Sequence, residues 1–433
     1  MTWANWAGNQ QCAPAAVEHP ASEDELAHLV KRAASDGRTV KAVGAGHSFT
    51  DIACTDGVQV QLDRYGGILE ADPSTGLVTV QAGITLGRLN EALWELGLAL
   101  PNLGDIAYQS VAGAIATSTH GTGLTLGGLA TQVRALRVVT GDGSVLSCSD
   151  SEDPDLFGAA RVGLGAVGLV STVTLQTVPA FNLRAVEEPM RMDAVLRDID
   201  RHAEENDHFE FYWVPHTGWA LTKRNNRTSD EVGGRSAFRT WVDRTLLENV
   251  AFGTVCRIGR WRPSLIPRLS KALPSTGRTE YVERSYRVFT SPRLVHFYEM
   301  EYSIPRDAAV EALRDLMAWV NRSGLRLSFP VEVRFTAGDD IFLSTAHGGE
   351  RCYIAVHVYQ GMPYEQYFRG VESIMAPLGG RPHWGKLHYQ SAATLAPRYP
   401  MWDRFQSVRR RVDPEGRFAN DYTTRVLGPT PPA

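Results

Sequence analysis

VGAGHSFTDIACTDG, residues 43–57, decides how this chain is read. A strand-like TVKAVG (39–44) runs into Gly44-Ala45-Gly46, then His47-Ser48, and the segment closes at Asp56-Gly57. Glycines let backbone approach a ligand, and consecutive N–H groups in such a loop cradle an anion. His47 sits in that cradle. An imidazole there hydrogen-bonds a cofactor, attacks it as a nucleophile, or simply bonds a loop carbonyl. Two more glycine-rich stretches follow, GAIATSTHGTG (113–123) and GLGAVG (163–168). The last has GxGxxG spacing, with Glu187 and Glu188 where a ribose-binding acid would sit. A dinucleotide fingerprint needs a helix after the glycines, however. LVSTVTLQTV (169–178) follows instead, with a β pattern, and this rejects a nicotinamide Rossmann unit.

Around these loops, helix and strand signals alternate up to residue 179. Ser22 to Glu25 reads as a capping box opening a helix that stops near Gly37. Strands are expected at 58–63 and 77–83. A helix from Thr85 carries an apolar stripe of Leu86, Leu89, Leu93 and Leu96 before Gly97. ALRVVT (135–140) and VLSCS (145–149) flank Gly141-Asp142-Gly143 as a hairpin. Beyond Pro179 the pattern changes to strands at 209–214, 219–223, 298–304, 331–335, 341–345 and 353–359, with helices over 307–320 and 364–375. The expected fold is α+β, with a boundary near 179: a two-lobed ligand-binding domain (1–179), then a domain (180–433) whose mainly antiparallel sheet is covered by helices.

In VEVRF (331–335), residues two apart share a face, so Glu332 and Arg334 oppose Val331, Val333 and Phe335. In YIAVHVY (353–359), Tyr353, Ala355, His357 and Tyr359 oppose Ile354, Val356 and Val358. Solvated faces normally carry Lys, Glu and Thr. Clustered His and Tyr place this polar wall in a cleft. Glu accepts hydrogen bonds from sugar hydroxyls and Arg donates a rigid fork, so a carbohydrate suits it. His383 and His388 are five apart, whereas helical metal pairs are four apart, so no metal is expected.

The 433 residues suggest two or three domains. Hydrophobic residues at 43% and charged residues at 21% exclude a disordered chain. Lys and Arg number 44 against 48 Asp and Glu, a net −4 that gives no basic excess for nucleic acid or anionic lipid. Cys12, Cys54, Cys148, Cys256 and Cys352 are odd in number and hold no CxxC pair. That disfavours a disulfide framework and fits a reducing cytoplasm. The N-terminus shows no signal peptide, and no apolar run approaches the ~18 residues that span a bilayer. Sequons at Asn226 and Asn321 read as surface loops.

VGAGHSFTDIACTDG followed by QSVAGAIATSTHGTG resembles the vanillyl-alcohol-oxidase-type flavoproteins, most closely their aldonolactone oxidoreductase branch, which includes the alditol oxidases. The resemblance continues in MEYSIP (300–305), EVRF (332–335), RPHWGKLH (381–388) and FANDY (418–422), so it spans nearly the whole chain. It implies an FAD-binding domain of PCMH type, with His47 bearing a covalent 8α-histidyl bond to FAD. Val43, Gly44, Ala45, Gly46 and Ser48 would hold the pyrophosphate. Ser110, Gly113, Ser118, His120, Gly121 and Thr122 would lie along the flavin and its phosphates. Gly163, Gly168 and Val170 would meet the adenine side. Glu332 and Arg334 inherit the binding of the hydroxyl at the oxidised carbon, and His357 and Tyr359 match variable pocket positions. Lys386 would sit near flavin and substrate, with His383 beside it. Asn420 and its neighbours would belong to a C-terminal segment, about 395–433, that folds back toward the flavin. Gly104 aligns where galactonolactone dehydrogenases, which react poorly with oxygen, tend to carry Ala.

The resemblance therefore implies oxidation of a sugar lactone, foremost L-gulono-1,4-lactone, giving an ascorbate precursor. Electrons would pass to O2, giving H2O2. A dehydrogenase using another acceptor and an alditol or polyol oxidase remain alternatives, as does a non-catalytic flavin-binding protein.

Overall fold

The computed structural model describes residues 2–234, 252–272, 277–291 and 294–430. A small parallel sheet holds β1 (Ala16–Glu18), β2 (Val40–Val43) and β3 (Val58–Gln61), with β3 central. Helix α1 (Glu23–Ser35) crosses from β1 to β2. Ser22 starts it by accepting the Glu25 N–H, while the Glu25 carboxylate accepts the Ala21 N–H. The second sheet is antiparallel and contains β4 (Ile68–Asp72), β5 (Leu77–Gln81), β6 (Val133–Val139), β7 (Val145–Ser149) and β8 (Leu169–Gln176). Its order is β7-β6-β8-β5-β4. Helices α2 (Leu86–Glu95), α3 (Val111–Ala116) and α4 (Pro154–Ala160) share its core. Leu86, Leu89 and Leu93 are buried as their spacing requires, but Leu96 caps the helix and is 42% exposed.

The third sheet has eight strands, all paired antiparallel: β9 (Asn182–Arg191), β10 (His208–Trp213), β11 (Trp219–Thr228), β12 (Thr279–Arg284), β13 (Phe297–Pro305), β14 (Val331–Thr336), β15 (Arg351–Tyr359) and β16 (Arg381–Pro382). The order is β12-β9-β11-β10-β14-β15-β13-β16. This is the expected α+β arrangement. One face carries Phe209, Phe211, Met300, Val331, Val333, Ile354 and Val356 under helices α5 (Met192–Arg197), α6 (Ile199–Glu204), α7 (Ala309–Ser323) and α8 (Glu365–Met375). Burying each such side chain stabilises by about 1.5–3 kcal/mol, which pins the register, because a one-residue slip would turn all of them outward. The opposite face therefore keeps its polar residues. After β16, helices α9 (Trp402–Val412) and α10 (Asp421–Leu427) return to the first core. There Tyr399, Phe405, Val408 and Tyr422 join Val78, Leu136 and Val173.

Three expectations are corrected. IFLST (341–345) is a turn, not a strand: the Asp339 carboxylate accepts the Ile341 N–H and the Ser344 hydroxyl, and Ile341, Phe342 and Leu343 plug the first core. The sequons lie in regular structure, Asn226 in β11 and Asn321 in α7. Strands β9 and β12 were not foreseen.

Candidate active site

Two clefts meet at Gln109. The larger, about 1060 Å³, runs from the end of β2 past α3 to the loop before β8. It is lined by Val43, Gly44, Ala45, Gly46, His47 and Ser48, by Ser110 and Gly113, and by Gly163, Gly168 and Val170. A Cβ at Gly44 would stand 2.4 Å from the Ser110 Oγ, and one at Gly168 2.4 Å from the Val138 Cγ1. Gly46 and Gly168 have φ of +69° and +132°. Only glycine leaves backbone this bare, so the lining fits a long anionic cofactor. His47 stacks with Trp6 at 5.3 Å and with Tyr108 at 6.1 Å. Burial, with Lys386 and His296 nearby, lowers its pKa to about 4. The ring is neutral near pH 7 and keeps a nucleophilic lone pair.

The smaller cleft, about 530 Å³, lies over the polar face of the third sheet. Its wall is built by register: Arg334 lies opposite Glu210 and Tyr353, Glu332 opposite Tyr212 and Ala355, and His357 opposite Glu299. The guanidinium of Arg334 pairs with Glu332 and donates to Glu210 at 2.8 Å, and Asp105 stands 3.7 Å away. Tyr212 donates to Glu210 at 3.0 Å and to Glu332 at 3.4 Å. These carboxylates hold the Arg334 pKa well above its usual value against the opposing effect of burial. Lys386 pairs with Glu299, and the His357 Nε2 lies 3.5 Å from the same carboxylate. Burial pushes Glu299 up, but Lys386 and His357 outweigh it and bring it to about 2. Every charge on this wall has a counter-charge, which is what a buried charged site requires.

His120, Glu301 and His383 bring their ligand atoms within 4.8 Å of one another, a grouping with metal-site spacing. Their protons argue against that use. The His120 Nδ1 lies 2.9 Å from the Gly121 carbonyl and its Nε2 3.1 Å from the Glu301 carboxylate. Both ring nitrogens of His120 are therefore already engaged. The His383 Nδ1 accepts the Gly385 N–H at 3.0 Å, which leaves its proton on Nε2. Burial lowers the His383 pKa to about 4, so the ring stays neutral. Neither histidine offers a free lone pair. The His120 ring instead stacks on Tyr353 at 3.5 Å and lies against the Glu301 carboxylate.

Residues 173–426 match the family model described as D-arabinono-1,4-lactone oxidase, and residues 14–149 match an FAD binding domain. The chain belongs to the aldonolactone oxidase family. Across that family it is 48% identical over 428 residues to L-gulono-1,4-lactone dehydrogenase of Mycobacterium tuberculosis, covering 99% of both chains. It is 35% identical to L-gulonolactone oxidase of Scyliorhinus torazame, covering 98% of this chain and 97% of that one. Identity to an alditol oxidase of Streptomyces is 31%, covering 98% of both. A cholesterol oxidase from Brevibacterium sterolicum shares the vanillyl-alcohol-oxidase-type fold, with a TM-score of 0.82 at 16% identity over 98% of this chain and 96% of that one.

Against the expectations from this family, Glu332, Arg334, Lys386, His357, His383, His120 and Gly104 all line the smaller cleft. Five residues line neither cleft. Tyr359 packs with Phe297 and Phe329 beyond the mouth. Ser118, at φ +63°, bonds the Thr345 hydroxyl. Gly121 is required by crowding, since its Cβ would stand 2.2 Å from the Leu103 carbonyl. The Thr122 hydroxyl donates to the Phe209 carbonyl and accepts the Phe335 N–H. The Asn420 amide donates to the carbonyls of Asp51, Ile52 and Cys54, tying the C-terminal segment beneath the His47 loop. Asp105, Glu210, Tyr212, Glu299 and Glu301 are site groups that sequence reasoning missed. Alternation in FEFYWV and YEMEYSI puts all but Asp105 on one face, and the register that brings them to Arg334 and Lys386 supplies the rest.

Proposed function

We propose that this protein oxidises a sugar lactone, foremost L-gulono-1,4-lactone, at the carbinol next to the carbonyl, yielding an ascorbate precursor. The observation that carries this reading is the fully paired charged wall facing a cleft beside the cofactor cradle. A non-catalytic flavin carrier needs no such wall. Bound FAD supplies the hydride acceptor. His47 would hold it, its neutral ring offering the lone pair that a covalent histidyl link needs. Glu332, paired with Arg334, accepts the proton of the substrate hydroxyl. Arg334 fixes that carboxylate and donates its remaining N–H to substrate oxygen. Lys386, paired with Glu299, places a cation in the smaller cleft. The location we propose is cytoplasmic; among the described residues, no helix is long and apolar enough to cross a membrane.

Anaerobic mixing with L-gulono-1,4-lactone is the test, and it should bleach the flavin faster than any alditol does. Faster bleaching by alditols would make the enzyme a polyol oxidase, and no bleaching by either class would overturn the reading. Glu332→Gln keeps shape but removes charge. A hydrogen bond to a charged group is worth about 1.5–3 kcal/mol, so bleaching should slow roughly tenfold to a few hundredfold while FAD stays bound.

We propose O2 as the electron acceptor, giving H2O2. Gly104 lines the smaller cleft without a positive φ, so no turn demands glycine there. Its Cβ would meet the Thr119 Cγ2 at 3.1 Å and the His120 carbonyl at 3.3 Å. Gly104→Ala should therefore press on the 119–120 segment and slow reoxidation in aerated buffer markedly, with bleaching by substrate nearly unchanged. Equal reoxidation in both proteins would remove Gly104 as the gate. Slow reoxidation of the unaltered enzyme would favour the second reading, a dehydrogenase, which the printed name of the M. tuberculosis relative supports.

A further inference from the structure

Lys41 is a buried charge that the reaction does not use. It lies on β2, two residues before the cradle begins, and is 3% exposed. It lines the larger cleft, and its Nζ donates to the Phe418 carbonyl at 3.1 Å and the Leu164 carbonyl at 3.4 Å. Leu164 sits at φ +52° in GLGAVG, and Phe418 belongs to the returning C-terminal segment. One amine thus joins β2, the 163–168 loop and the returning C-terminal segment. Among the described residues it has no carboxylate within ion-pair distance. The charged groups acting on it are Arg409, Asp413 and Asp51. Asp413 is committed to the N–H groups of Arg417 and Phe418.

We propose that Lys41 is the counter-ion of the cofactor's diphosphate and takes up a proton when FAD binds above neutral pH. This rests on reading the larger cleft as the FAD site. Burial, then Arg409, lower the Lys41 pKa to about 7, with Asp413 and Asp51 acting the other way. A diphosphate brought into the same water-poor cleft favours the ammonium form. Binding FAD above pH 7 must then take up a proton, whereas below pH 7 the ammonium is already formed. A full proton of uptake weakens binding about tenfold for each pH unit climbed.

The test uses full-length His47→Ala protein freed of flavin, titrated with FAD calorimetrically in buffers of different ionisation enthalpy. Uptake approaching one proton per FAD is expected at pH 8.5, and almost none at pH 6. Lys41→Arg in the same background should bind FAD with no uptake and a flat pH profile. Lys41→Met should also lose uptake, and should bind at least tenfold more weakly at pH 6. Binding by the Lys41-containing protein without proton uptake would overturn the proposal, as would equal uptake in Lys41→Arg. Failure of FAD to bind at any pH, in protein whose circular dichroism is unaltered, would overturn the assignment of the cleft and the proposal with it.

Discussion

Arg334→Lys is expected to slow substrate bleaching of the flavin by roughly two to four orders of magnitude. The guanidinium serves Glu332, Glu210 and Asp105 at once through a planar fork. An ammonium reaches one of these carboxylates well and leaves another buried without its partner. Each hydrogen bond lost to a charged group removes about 1.5–3 kcal/mol, and two such losses span that range. The variant should also melt lower, because an orphaned buried carboxylate costs about 3–5 kcal/mol. Flavin content should be unchanged, since Arg334 does not line the larger cleft. Stopped-flow reduction without oxygen reads the rate. A variant within threefold of the unaltered enzyme would show that substrate does not lean on this wall.

The second large effect is all-or-none. Acid precipitation of the unaltered protein should leave the pellet yellow, and His47→Ala should release its FAD to the supernatant. His47 is the one histidine lining the larger cleft among the described residues, and its neutral ring is flanked by Trp6 and Tyr108 rather than tied to a carboxylate. FAD freely extracted from unaltered protein would remove the covalent bond. FAD retained in the His47→Ala pellet would move the bond to another residue.

The sequence makes the polar wall legible because strand alternation is a local property. VEVRF and YIAVHVY sort their own faces without knowing their neighbours. Which strands sit side by side is not local. Glu210, Tyr212, Glu299 and Glu301 were therefore visible as polar positions but not as partners of Arg334, Lys386 and His120. NLRAVEEPMR hides as β9 because it lacks alternation and contains Pro189. The proline stands where pairing with β12 has already ended at Glu187 and only β11 remains alongside, with Leu221 opposite it. IFLST fails in the opposite way: its composition is β-like, but Asp339 and Ser344 close a turn that composition cannot show. The glycine loops were legible because bare backbone is a property of the residue itself, and they line the larger cleft.

The seam between the 113–123 segment and the third sheet is made by hydrogen bonds at Thr122 and Gly123. The Gly123 N–H donates to the Phe335 carbonyl, Gly123 bridges Thr336, and the Thr122 hydroxyl donates to the Phe209 carbonyl. The floor that carries His120 is thereby stitched to the strand that carries Arg334. The two halves of the site cannot open like a clamshell without breaking sheet bonds. Admission is then a matter of aperture and not of closure: a sugar enters a slot whose width was set when the chain folded. Turnover should follow lactone shape closely and respond little to solvent viscosity.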